Sequence, residues 1–423
     1  MNADSAVDGG KAHGLLAKVQ TLSLLYVAVF VTRIGFGTMI PLFPVYLQVS
    51  PAIRGGVLAL YPAFEGVSAI PVGTYVDRRG RRRTFLIGMF LISLFTFFIG
   101  LTNDVFPVAT AHGLSGLAAG MVTISSLTMI TDLTVEKNRG TGMGAFDLAN
   151  LAGYGIGIVL GYFFRGQFAA NLGDGFLIVA GIFAAAALLT FPLLREPPHS
   201  SHGHLSLKEM FYSLTGEIIA IFPIWFAITV TTGFYFYLPS IVPQSVDASN
   251  SAGLIVVGVG VLGVGAVFFG RISDIIGRTK TVAIGAAGEI VFLLLFPNLF
   301  EELIKVPKGQ AWNVTLQQIG PVGPIAGIFF FLGAALVPSI LAFVGDKAHK
   351  DYRGSAMGLY NIMLSTGIAV GNLLAGVGAQ LGGVQAMFYM AAIIFAGLSL
   401  TSGLLLYHDH KRGSVGAAKL MAR

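Results

Sequence analysis

The 423-residue chain has no cysteine. That excludes disulfide bonds and thiolate metal sites. It is also poor in charge. Asp, Glu, Lys and Arg make up 11% of its residues, against roughly a quarter in ordinary soluble domains. So little polar surface cannot coat a water-soluble globule. The motifs that would suggest a membrane enzyme are missing too, with no GxSxG, no HExxH and no phosphate loop. Histidines 199, 202 and 204 lack the neighbouring ligands that a folded zinc site needs.

What the chain does have is apolar length. It is 55% hydrophobic, with a mean hydropathy of +0.79. A helix needs about 20 predominantly apolar residues to cross a bilayer, and irregular backbone cannot face lipid. The sequence predicts an all-α membrane protein with twelve crossing helices. Six fall at 20–47, 53–76, 84–101, 106–130, 140–164 and 174–194. The other six fall at 217–243, 251–272, 281–299, 320–344, 353–381 and 384–407. The first 19 residues are polar. The run after them has no small-residue cleavage site and reads as an uncleaved first span.

The net charge of +6 is scattered through the loops and forms no single basic face, so no nucleic-acid partner is expected. The charge is instead sided. With the N-terminus inside, 21 of the 26 Lys and Arg residues fall in inside segments, including five arginines at 78–83. Arg54, Arg165, Lys305 and Lys308 fall outside, and Arg33 lies within the first span. This asymmetry places both termini in the cytoplasm.

The chain also repeats itself. In GTYVDRRGRRRTF (73–85), Gly73, Asp77, Gly80 and Arg81 recur 197 residues later as Gly270, Asp274, Gly277 and Arg278. A second set agrees at an offset of 214. There Asp132, Arg139, Gly140, Gly144, Gly153 and Gly157 match Asp346, Arg353, Gly354, Gly358, Gly367 and Gly371. The expected organisation is a cytoplasmic segment (1–19), a six-helix bundle (20–194), a polar linker (195–216), a second bundle of the same orientation (217–407) and a cytoplasmic tail (408–423).

The GxxxDRxGRR pattern carried by Gly73, Asp77, Arg78, Gly80 and Arg81, its looser echo GRISDIIGR, and twelve spans in two halves resemble the major facilitator superfamily. The resemblance covers nearly the whole chain. It implies two pseudo-symmetric bundles that rock around a midplane site. It also implies that Asp77 faces the start of span eleven and that Arg81 bridges it to Asp132, with Asp274, Arg278 and Asp346 as a weaker counterpart. An aspartate at a helix C-terminus opposes the helix dipole and needs such a partner. Gly73 and Gly80 would allow close helix approach and a tight turn. The alternative is that these charges only set topology.

Charges inside spans are costly and are candidates for function. Arg33 and Glu65 lie at similar depths, roughly 20 Å from the inner face at about 1.5 Å per residue, and Asp147 lies nearer the cytoplasm. Their repeat partners are the Val230–Thr231 region, Leu262 and Asn361. The first half therefore carries charges that the second lacks, which suggests a network binding a proton, the substrate or both. The alternative is a static buried ion pair. Glu289 reads as a peripheral structural residue, His112 as an interface histidine and Glu217 as a membrane-boundary residue. Tyr235 and Tyr237, within Phe234–Tyr237, would line an apolar substrate pocket or stand in an interfacial belt.

Span five carries GYGIGIVLGY (153–162). It resembles the GxxxGPxxGG stretch of drug–proton antiporters at Gly153, Gly157 and Gly161, and departs from it at Ile158 and Tyr162. MIPLFPVYL (39–47) also looks like the drug-efflux branch. The resemblance implies a monomeric secondary transporter of the plasma membrane that exports a lipophilic compound. A proton would couple the cycle through Glu65 or Asp147, with no other cofactor. The partners would be the lipid bilayer and a small-molecule substrate. Proton-coupled movement of an organic anion matched to Arg33 is the alternative within transport. A non-transporting receptor or scaffold is the alternative outside it.

Overall fold

The computed structural model describes residues 4–134, 136–196, 216–242, 248–305, 317, 320–347 and 353–421. The side chains of 4–18, 77, 131, 136–144, 147, 248–252, 254–256, 345, 353–361 and 409–421 lie outside that description. The described residues contain no strand and form twelve α-helices. These are α1 (Asp4–Tyr46), α2 (Pro51–Arg79), α3 (Arg81–Leu101), α4 (Val105–Leu133), α5 (Glu136–Gln167), α6 (Gly173–Leu193), α7 (Gly216–Tyr237), α8 (Ala248–Ile276), α9 (Arg278–Ile304), α10 (Val322–Gly333), α11 (Leu336–Lys347) and α12 (Arg353–Met421). A 3-10 turn, Leu238–Ser240, follows α7.

Eleven stretches of the described residues are long and apolar enough to cross a membrane. Most fall within a few residues of the expected spans, and the helix of the expected span eight, α8, begins at Ala248. The tally of eleven against the expected twelve turns on the last stretch, Ile362–His408, which runs 47 residues. Its helix is broken at Gly382 and Gly383, between the expected spans 353–381 and 384–407. Gly383 has φ +61°, a conformation that favours a residue without Cβ.

The expected single helix over 320–344 is instead two helices. The chain turns at Ala334–Ala335, where Ala335 N–H donates to Leu332 O at 3.0 Å. Pro338 is the physical reason. It has no N–H to give the Ala334 carbonyl four residues back, and its ring crowds that carbonyl. The helix expected to end just before Asp77 runs on through Arg79.

The chain folds as two compact units. Unit 1 is Met1–Tyr46 with Val67–His204, and unit 2 is Leu47–Gly66 with Leu205–Arg423. Helix α2 is thus shared between them. In unit 1, α1 packs on α5 through glycines. A Cβ on Gly157 would strike the Ile34 carbonyl and Gly37 Cα, and one on Gly153 would strike the Phe30 carbonyl. Gly161 lies in the same way against Thr38 and Pro41. The three glycines of the 153–162 stretch therefore form the seam of a helix pair. The lower half of α2 packs on α4 through Val72, Val76, Met121 and Ile124.

Unit 2 repeats the seam. A Cβ on Gly371 would strike the Val230 carbonyl and Gly233 Cα, and Gly367 leaves room only for Thr229. The α7–α12 pair is thus built like the α1–α5 pair, with small residues letting backbones approach where hydrocarbon gives no hydrophobic drive. The first part of α2 joins this unit through Gly55, which faces Gly376 and Asn372 of α12.

Candidate functional site

Arg33 lies buried within unit 1 on α1. Its Nε donates to Asn150 Oδ1 at 2.7 Å, and an Nη donates to Thr123 Oγ1 at 3.0 Å. The guanidinium also stands over the Tyr154 ring, 5.3 Å from its centre. Three helices, α1, α4 and α5, therefore converge on one cation. Asn150 lies three residues beyond Asp147 on α5, so both positions share a face of that helix. Asn150, Thr123 and Tyr154 were not expected from the sequence. The only signal available was that a buried guanidinium needs acceptors.

Glu65 is also buried, but it belongs to unit 2. The positions of Asp147 and Asn361 are helical, and their side chains lie outside the described ones. His112 is buried beside this region, between Phe36 and Phe43, at ring separations of 6.5 and 4.6 Å.

The motif region of unit 1 is layered. Gly80 turns the chain with φ +93°, which only a glycine adopts without strain. Arg81 Nε then meets Asp132 Oδ2 at 2.9 Å, with both side chains 5% exposed. Beyond them stands Glu196, which sequence reasoning assigned to the linker. Its two oxygens accept from the Arg81 and Arg82 backbone N–H groups at 2.7 and 2.8 Å. A carboxylate placed on exposed N–H groups at a helix N-terminus is favourable. Arg82 completes the joint. It donates to the Leu194 and Phe191 carbonyls, both at 2.6 Å, and lies over the Phe191 ring.

The second copy is simpler. Gly277 turns with φ +97°. Arg278 meets Asp274 at 2.5 Å and Asp346 at 3.2 Å, and donates to Ser273 Oγ at 2.6 Å. In both copies a threonine four residues after the turn glycine, Thr84 or Thr281, donates its hydroxyl to that glycine's carbonyl. Gly73 makes no close approach, since a Cβ there would meet nothing within 4 Å. It sits within the helical part of α2, and the turn needs only Gly80. Arg78 is exposed. The side chains of Asp77, Arg139 and Arg353 lie outside the described ones.

Unit 2 holds two arrangements that the sequence reading missed. Tyr237 Oη donates to the Pro51 carbonyl at 2.9 Å. Arg54, expected only as an outside loop charge, donates to the carbonyls of Leu47, Val49 and Ser240. Together they tie the start of α2 to the end of α7. Deeper inside, Tyr235 Oη donates to Glu289 Oε1 at 2.5 Å. The tyrosine is ringed by Phe292, Phe330 and Phe388, at ring separations of 6.3–6.5 Å. Tyr235 is half-buried, with its hydroxyl held by Glu289 of the same unit. Glu217 pairs with Lys347 at 2.8 Å.

A sequence profile described as the Major Facilitator Superfamily matches residues 22–306 and 224–421. The chain is similar to a multidrug resistance protein, MdtG of Proteus mirabilis, at 23% identity over 90% of this chain and 94% of that protein. It is also similar to the quinolone resistance protein NorA of Staphylococcus aureus, at 22% identity over 87% and 92% of the two chains. Among solved structures, it resembles a bacterial homologue of the human lysosomal transporter Spinster. The TM-score is 0.68 and the identity 14%, over 92% of this chain and 97% of that one.

Proposed function

The chain belongs to the major facilitator superfamily, and on that premise we propose that it exports a lipophilic organic compound in exchange for protons, by alternating access. It is a multi-pass membrane transporter and not an enzyme. The observation that carries the substrate class is the near full-length likeness to MdtG and NorA, whose names speak of multidrug and quinolone resistance. On this reading the protein works as a monomer in the plasma membrane with both termini in the cytoplasm. Arg33, held by Asn150, Thr123 and Tyr154, sets the charge of the region that meets solute or proton. Glu65 and Asp147 carry the coupling proton, because an acidic group inside a span gains or loses its charge at a large energetic step.

A second reading rests on Arg33 itself. A buried guanidinium is a natural partner for a carboxylate or phosphate on an organic anion. The test is substrate and proton flux in proteoliposomes, with ethidium as the lipophilic cation and carboxyfluorescein as the organic anion. Wild type would be compared with Glu65→Gln and Asp147→Asn. Ethidium movement with protons moving the opposite way, uncoupled in either variant, supports the proposal. Carboxyfluorescein movement with protons supports the second reading. Absence of flux for both probes favours a receptor or scaffold. Ethidium flux without protons, equal in all three proteins, removes Glu65 and Asp147 from the mechanism.

A further inference from the structure

We infer that Glu289 is a proton-binding site in unit 2, separate from the charged positions of the first half. It lies in the middle of α9 and is 7% exposed. Each of its two oxygens has a defined surrounding. Oε1 accepts from the Tyr235 hydroxyl of α7 at 2.5 Å. Oε2 lies against Gly333, the last residue of α10, where an added Cβ would come within 2.5 Å of it. A helix C-terminus presents the negative end of the dipole. Pro338 also leaves the Ala334 carbonyl in that turn without its helical donor. Oε2 therefore lies beside the C-terminal turn of α10, where the helix dipole disfavours a carboxylate and free carbonyls would accept from an O–H donor. The arrangement fits a neutral carboxyl group, with one oxygen accepting from Tyr235 and the other carrying the proton.

No cation stands by to replace that proton among the described residues. From α7 the facing titratable group is Tyr235, and from α10 and α12 the neighbours are Phe330 and Phe388. The charges on α9 itself, Arg278, Lys280, Glu301 and Glu302, stand at its ends. The nearest of them is nine residues away, roughly 13 Å along the helix. Of those on α8 and α11, Asp274 and Asp346 pair with Arg278 at one of these ends, Arg271 lies three residues before Asp274 on α8, and Lys347 pairs with Glu217 of α7. An isolated carboxylate in such surroundings is costly. The step is plain proton uptake, in which an O–H bond forms at Oε2 and the negative charge disappears.

The site also has a route outward. Tyr235 stands two residues before Tyr237, whose hydroxyl holds the Pro51 carbonyl of α2. Loss of the proton would loosen Glu289 from α10 and pull on the same stretch of α7 that anchors the start of α2.

The experiment is a pH titration of the purified, lipid-reconstituted protein by infrared difference spectroscopy, with no substrate present, so it reads protonation whether or not the export reading holds. The expected result is a carboxylic acid C=O band that titrates with pH, is lost in Glu289→Gln, and moves to higher frequency in Tyr235→Phe as its hydrogen bond disappears. The same titrating band in Glu289→Gln would overturn the inference, as would the absence of any band difference between wild type and Glu289→Gln. The thermal melts of both variants are to be recorded alongside. A Tyr235→Phe protein that melts like wild type and leaves the band unmoved would also count against the site.

Discussion

At the first motif copy Arg81 and Asp132 meet with both side chains 5% exposed, whereas at the second Arg278 is 24% exposed and its partners Asp274 and Asp346 are 62% and 58% exposed. The turns themselves are nearly identical, with φ +93°, ψ +150° at Gly80 and φ +97°, ψ +146° at Gly277. The difference lies in what covers them. Glu196 caps the start of α3, and Arg82 ties it to the end of α6. No described side chain caps the start of α9. One motif, duplicated, has thus become a buried ion pair in one unit and a solvated one in the other. The conformational demand is set by the backbone and survives duplication. The electrostatic strength is set by burial and does not.

The largest expected effect tests that claim directly. Arg81→Ala takes the arginine from a buried ion pair and leaves the Asp132 charge in place, which should cost about 3–5 kcal/mol and lower the melting temperature of the purified protein sharply. The matching change, Arg278→Ala, should cost less than about 1 kcal/mol, as solvated pairs do, and added salt should shrink even that. Similar losses for the two variants would refute the comparison.

A middle-sized effect sharpens it. Gly80→Ala and Gly277→Ala both force a side chain into a positive-φ region, at roughly 1–3 kcal/mol each. Gly80→Ala should be the worse of the two, because its Cβ would press on Glu196 Oε1 at 3.2 Å while Gly277 has open space. Adding Glu196→Ala to each should remove most of the difference, measured as a double-mutant cycle.

The smallest effect concerns Glu196 alone. Glu196→Ala should destabilise by about 1 kcal/mol, the usual size of a lost helix cap, read from the same melts. A neutral result would mean that Arg82 holds the joint without it.

Much of this was legible in the chain. The spans came from hydropathy, and the paired turns at Gly80 and Gly277 came from the repeat. The break at Ala334–Ala335 was also legible through Pro338, though the expected single helix passed over it. Arg82 and Glu196 stand 114 residues apart, and nothing in the intervening apolar segments brings them together on paper. The same holds for Tyr235 and Glu289, 54 residues apart. Glu289 looked peripheral because span nine holds a peripheral position in the family that the sequence resembles.

The sequence alone determined that the chain is helical, where most of its helices begin and end, and where glycine must turn it. These are local properties, because backbone in hydrocarbon must satisfy its own hydrogen bonds within each segment. Tertiary structure alone decided which oxygen meets which donor: Asn150 and Thr123 on Arg33, Glu196 on α3, Tyr235 and the Gly333 turn on Glu289. Those pairings depend on how helices rotate and cross, which is fixed by packing along seams such as Gly153–Gly157–Gly161 on α1 and Gly367–Gly371 on α7. A helix rotated by one residue turns about 100° and would aim each of these side chains elsewhere.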